Sequence, residues 1–147
     1  MRKIAVVYWS GTGNTEKMAE AVCSGIVAQG LDADLLQAGN VDVGADLPYR
    51  ALALGCPAMG NEVLEESEME PFVAQLESRN MDGVLLVLFG SYDWGDGEWM
   101  RNWEQRMKAA GATLVTEGLI IQGMPEQSGL EQCRELGRRL AETINAK

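Results

Sequence analysis

The sequence predicts an α/β domain built on a doubly wound, five-stranded parallel sheet with helices on both faces. Three observations lead there. Apolar, β-branched runs alternate with segments of helical period, which implies parallel strands joined by right-handed crossovers. The clearest runs, residues 3–9 and Val84-Leu85-Leu86-Val87-Leu88, show no polar alternation, as befits strands covered on both faces. Turn-rich stretches at 9–15, 56–62 and 90–97 follow the first, third and fourth runs, at the strand ends where such sheets bind ligands near their topological switch point.

Each element has its own signal. After the 3–9 strand, Met18, Val22 and Ile26 line one stripe of a helix over 15–28, with Gly30 as its stop. A weaker strand is expected at 33–38, and 39–50 reads as a loop with a short helix. Residues 51–55 form a short buried strand. Ser67 and Glu70 have capping-box spacing and Pro71 falls in the tolerant first turn, so a helix should run from there to about 78. A strand at 83–89 follows. Trp99 or Met100, Trp103 and Met107 mark a helix that Gly111 ends. Residues 113–115 and 119–121 form one interrupted edge strand, and Leu130, Cys133, Gly137, Leu140 and Ile144 step by three and four along a last helix.

Composition narrows the function. A chain of 147 residues, 46% hydrophobic, suits one packed domain without repeat or linker. No apolar run approaches the roughly 18 residues that span a bilayer. Ser10-Gly11-Thr12-Gly13 interrupts the opening apolar stretch before it can serve as a signal peptide, so the cytoplasm is the expected compartment. The chain has no histidine, which excludes Ser-His-Asp and Cys-His catalysis. Three scattered cysteines without a Cys-x-x-Cys pair speak against zinc, iron–sulfur clusters and a disulfide framework. A formal charge of -10 argues against nucleic acid and anionic membranes as partners. Taken alone it fits both simple solubility and steering toward basic proteins.

The first turn, Ser10-Gly11-Thr12-Gly13-Asn14-Thr15, joins a strand to a helix. Its glycines let N–H groups converge on an anion at a helix N-terminus, and Ser10, Thr12 and Thr15 add hydroxyl donors. Donors without a lysine suit a single terminal phosphate. A P-loop is absent, because no Gly-Lys-Ser/Thr follows. A dinucleotide fingerprint would need a third glycine where Glu16 stands. Receiver-domain carboxylates are missing after the first and third strands, where Trp9-Ser10 and Gly55-Cys56 lie. Cys133 and Arg139 have phosphatase spacing but fall inside the last predicted helix, where Cys133 belongs to the buried stripe.

This turn resembles the FMN-phosphate loop of flavodoxins, and the stretches 58–67 and 89–97 resemble the two loops that flank the flavin in that family. The likeness is to the short-chain, clostridial-type subgroup and extends over the whole chain in the same order. It implies a flavodoxin-like fold and an electron carrier, rather than an enzyme, that holds one non-covalent FMN. By resemblance, Met59 would lie against the inner flavin face, and Ala58 before it would also belong to the cofactor site. The peptide between Gly60 and Asn61 would flip as the flavin takes one electron, presenting the Gly60 carbonyl to flavin N5. Glu62 would accept from flavin N3–H. In the third loop Ser91 would add a phosphate contact, Trp94 would cover the outer face, and backbone N–H groups around Tyr92, Asp93, Trp94 and Gly95 would meet flavin O2. Trp9 either lines the ribityl chain or packs in the core, and Trp99 and Trp103 read as core. Relatives often carry Asp at the place of Asn61 and glycine at that of Asp93.

Five carboxylates in nine residues (Glu62, Glu65, Glu66, Glu68, Glu70), with Asp93, Asp96 and Glu98, put acid beside both flavin loops. Their field would disfavour the anionic reduced flavin, giving a low potential, and would attract redox partner proteins with basic docking surfaces. A monomer is expected. The competing reading is an FMN-dependent NAD(P)H or quinone reductase on the same fold, which would need an open flavin face for hydride delivery.

Overall fold

A computed structural model describes residues 3–41, 49–60 and 62–146. In chain order the elements are β1 (Lys3–Tyr8), α1 (Asn14–Val27), β2 (Asp32–Gln37), a 3-10 turn (Ala38–Asn40), β3 (Ala51–Gly55), α2 (Met69–Glu77), β4 (Leu85–Tyr92), α3 (Glu98–Ala109), β5 (Thr113–Leu114), β6 (Leu119–Gln122) and α4 (Gln127–Asn145). All strand pairs are parallel and run in the order β2-β1-β3-β4-β5, with β6 also on β4. The expected interrupted edge strand is therefore present: β5 pairs with Leu85 and Leu86, and β6 with Phe89 through Tyr92.

Period-two alternation within fully buried strands sorts the side chains onto two faces. Ala5, Val7, Leu52, Leu54, Leu86 and Leu88 meet α2 and α3 through Phe72, Leu76, Trp99 and Trp103. Ile4, Val6, Ala53, Val87 and Phe89 face α1 and α4 through Met18, Val22, Cys133 and Leu140. Both faces are thus dry, which explains the unbroken apolar runs. Trp99 and Trp103 are core, as expected, and the Trp99 indole N–H donates to the Cys56 carbonyl at 3.1 Å.

The structure differs from the sequence reading in two places. β4 continues through Gly90, Ser91 and Tyr92, which were expected in a loop, because β6 supplies backbone partners beside them. The Ser67 capping box does not form. α2 starts at Met69, and the carboxylate of Glu65 takes over the cap by accepting from the N–H groups of Ser67, Glu68 and Met69 at 2.8–2.9 Å and from the Ser67 hydroxyl. The loop expected over 39–50 opens with the 3-10 turn, and its residues 42–48 lie outside the described residues.

Helices α1 and α4 touch backbone to backbone. A Cβ on Gly137 would collide with the Val22 carbonyl, and one on Gly25 with the Arg134 carbonyl. On the opposite face Arg106 of α3 binds Glu70 and Glu77 of α2, each through two hydrogen bonds of 2.7–3.0 Å. Because the obstruction at Gly137 is backbone and cannot rotate away, Gly137→Ala should destabilise the fold by about 1–3 kcal/mol. Urea unfolding should show a lower midpoint with an unchanged slope.

Candidate functional site

β1, β3 and β4 end side by side, so the three segments that follow them meet at one edge of the sheet. Backbone bonds stitch these ends together: Trp9 N–H to Gly55 O, Cys56 N–H to Phe89 O and Ala58 N–H to Ser91 O, at 2.9–3.1 Å.

In the first segment Gly13 is the N-cap of α1, in the left-handed region at φ 99°, where a Cβ would be strained. No side chain among the described residues caps this helix, so its first-turn N–H groups point into the loop with their partial positive charge. Asn14 opens the helix, Thr12 and Gly11 are exposed, and the Ser10 hydroxyl oxygen accepts from the Gly13 N–H at 3.1 Å. Beneath the loop the buried hydroxyls of Thr15 and Ser91 share a hydrogen bond of 3.0 Å. Ser91 is thereby brought from β4 to the start of α1. The donor set is neutral, with Gly11 and Thr12 open to solvent above the buried Thr15 and Ser91 hydroxyls, and it suits one phosphate group.

The second segment is a tight hairpin. Met59 and Val63 exchange both backbone hydrogen bonds, at 3.0 and 3.2 Å, around residues 60–62. Closing so short a loop forces left-handed backbone: Gly60 has φ 35° and Glu62 φ 55°, the sole positive φ among the described non-glycine residues. Gly60 is exposed and a Cβ there would meet open space, so conformation rather than crowding selects glycine. Asn61 lies outside the described residues. The Glu62 carboxylate reaches across to accept the Gly97 N–H at 3.0 Å and sits against the α-carbon of Gly95, joining the second segment to the third.

In the third segment Trp94 is 66% exposed, whereas Tyr92 packs on Trp99 with ring centroids 5.8 Å apart. Asp93 is not in the left-handed region, so an aspartate there costs no backbone strain, and its carbonyl accepts from the Gln122 amide at 3.1 Å. The expected residues of the three loops are thus brought to one rim, with Tyr92 turned toward the core and Asn61 undescribed. A groove of about 460 Å³ runs along α3 beside this rim; Asp96 and Gly97 of the third loop line it, but none of the residues expected to bind a cofactor does.

The acidic run proves to be several separate devices. Glu65 caps α2, Glu68 accepts from the Trp9 indole N–H at 2.9 Å, and Glu70 pairs with Arg106. On the third loop Asp96 pairs with Arg101, which holds its carboxyl below the usual range. Glu66, Asp93 and Glu98 remain exposed. Glu65 and Glu68 were missed as individual site-building residues. The signal available was a carboxylate shortly before a helix start, but Ser67 and Glu70 matched the usual pattern as well. Burial pushes the Cys56 thiol up to about 12, and Cys133 likewise, so both are packing groups rather than nucleophiles.

Burial pushes the Glu65 carboxyl up, but its hydrogen bonds to Ser67, Met69 and Glu68 together outweigh that and hold it below its ordinary 4.5. The unfolded chain then binds more protons in that interval, so this contribution is complete above the unfolded value and lost as pH falls through the folded one. Glu65→Gln should lower stability at neutral pH by about 1–2 kcal/mol. It should also flatten the fall in melting temperature below pH 4.5, read from melting curves across acid pH.

Comparison with known proteins gives a consistent picture. A family model described as Flavodoxin matches residues 6–137. The chain is 46% identical over 136 residues to a flavodoxin of Clostridium beijerinckii, covering 92% of this chain and 97% of that one. The solution structure of two-electron reduced Megasphaera elsdenii flavodoxin superposes with a TM-score of 0.83 at 41% identity, covering 95% of this chain and 98% of the other. A nitric oxide reductase of Moorella thermoacetica is 32% identical over 97% of this chain, which spans 36% of that protein.

Proposed function

The chain belongs to the flavodoxin family, and from that premise we infer that it is an electron carrier, holding one non-covalent FMN and passing electrons between redox enzymes without a substrate of its own. The observation that carries the reading is the convergence of an uncapped helix N-terminus, a strained glycine hairpin and an exposed tryptophan on one rim. FMN supplies the redox chemistry, since its ring system exchanges electrons one at a time.

The chain's own residues bind, orient and shield that group. The phosphate is assigned to the hydroxyls of Ser10, Thr12, Thr15 and Ser91 and the N–H groups at the start of α1. Gly11 and Gly13 shape this seat and Asn14 opens its helix. The ring is assigned to the cleft between Ala58-Met59-Gly60-Asn61-Glu62 and Asp93-Trp94-Gly95, with Tyr92 behind it. Met59 and Trp94 on opposite faces would exclude water and hydride donors alike. Gly60 would turn its carbonyl toward the flavin when a proton arrives there, a movement that its freedom from a Cβ permits. Glu62 would exchange its Gly97 partner for the ring's imide N–H.

The partners are redox proteins, and we assign to them basic docking surfaces, on the strength of the chain's charge of -10 and the exposed Glu66, Asp93 and Glu98. We also assign a single-domain monomer working in the cytoplasm. No described helix is long and apolar enough to cross a membrane.

Anaerobic reductive titration of the FMN-loaded chain tests the reading. A long-wavelength absorption band should rise and then fall as electrons are added, the sign of two separate one-electron steps. Direct conversion to the fully reduced spectrum would instead fit a two-electron reductase. Gly60→Ala, strained by about 1–2 kcal/mol in the left-handed region, should shrink the band at its maximum while leaving FMN bound.

A further inference from the structure

The loop assigned to the phosphate carries a contact that phosphate binding alone does not explain. The edge of the Trp9 indole lies over Gly11, its Cη2 only 3.0 Å from where a Cβ on that residue would sit. Gly11 is therefore glycine because the ring rests on it, whereas Gly13 is glycine because of its left-handed backbone. The same indole donates its N–H to Glu68 at 2.9 Å. Glu68 is fixed in turn. Its own N–H is held by Glu65, and its carboxylate fills the space that a side chain on Gly39 would need. Trp9, Glu68 and Gly39 come from three different segments, and Trp9 and Glu68 wall the side of a crevice of about 110 Å³ that Ser10, Glu16 and Gln37 also line.

We propose that Glu68 is a positioning residue for FMN: it clasps the Trp9 indole down on Gly11 and so holds the phosphate loop in its binding shape before the cofactor arrives. The proposal rests on the assignment of FMN to this rim. Its physical content is preorganisation, since a loop already fixed loses less conformational freedom on binding. The sign of the effect separates it from simple electrostatics. A carboxylate near a phosphate repels it, so on charge alone removing Glu68 would tighten FMN binding. If Glu68 acts as a clasp, its removal weakens binding.

The test is titration of the flavin-free chain with FMN and, in parallel, with riboflavin, which has the same ring and no phosphate, read by flavin fluorescence. Glu68→Ala and Trp9→Phe should each weaken FMN about fivefold or more, the range open to one lost hydrogen bond. Riboflavin affinity should change by less than about twofold, and the double variant should be little worse than either single one. Glu68→Gln keeps an acceptor oxygen for the indole and should bind FMN at least as tightly as the wild type. Equal losses for both flavins, additive losses in the double variant, or tighter FMN binding by Glu68→Ala would each overturn the clasp while leaving the cofactor assignment standing. A wild-type chain that takes up neither flavin would overturn both.

Discussion

Burial of both faces of β1, β3 and β4 is the constraint on which everything else depends. A parallel strand can be followed only by a crossover, and three neighbouring parallel strands deliver their crossovers to the same edge. Ser10, Met59 and Trp94, distant in sequence, meet there because of strand direction and not through contacts among themselves. The dry interior also explains why the polar work is pushed to the rim. A polar group placed between the sheet and its helices costs stability unless it finds a partner, and the Trp103 indole N–H, buried there, has none among the described residues.

At that rim, carboxylates do what short caps and basic residues do elsewhere. Glu65 supplies an acceptor to three backbone donors leading into α2 (Ser67, Glu68 and Met69), Glu62 takes an N–H at the start of α3, and Glu68 holds an indole. The start of α1 is left without such a group. That contrast is informative: the start of α2 is satisfied internally by an acid, whereas in α1 and α3 it is the N–H of the capping glycine that is held, by Ser10 and by Glu62. Helix α1 keeps its first-turn donors for an anion brought from outside.

The elements were legible because an unbroken apolar run and a 3.6-residue period are local properties of the chain, the first carried by β1 and β4 and the second by α4. The loops were legible as loops, and their order carried the family resemblance. What sequence could not deliver was set by contacts between remote segments. β4 extends to Tyr92 only because β6 lies beside it. Ser67 and Glu65 are both plausible caps for α2 on spacing alone. In the fold Glu65 takes that place, buried, with its backbone N–H on the Cys56 sulfur at 3.4 Å and its carboxylate on the helix start. Trp9 stood between two readings, core or cofactor wall. Its ring on Gly11 and its bond to Glu68 place it at the junction of the two.

The division of the last strand into β5 and β6 has a consequence for how this architecture tolerates change. Each half is secured to β4 by its own pairing, and of the four residues between them, 115–118, Val115 gives β4 one bond, its N–H to the Leu86 carbonyl at 2.9 Å. The Gly118 N–H, bound to Glu104 at 2.6 Å, ties that stretch to α3, and the Thr116 hydroxyl accepts from Arg139 of α4 at 3.3 Å. Chain inserted there would lengthen a loop whose closure entropy grows slowly with size, and neither half would shift register. The split thus acts as an expansion joint, a place where the molecule can acquire a new surface beside its cofactor rim without disturbing the rim itself.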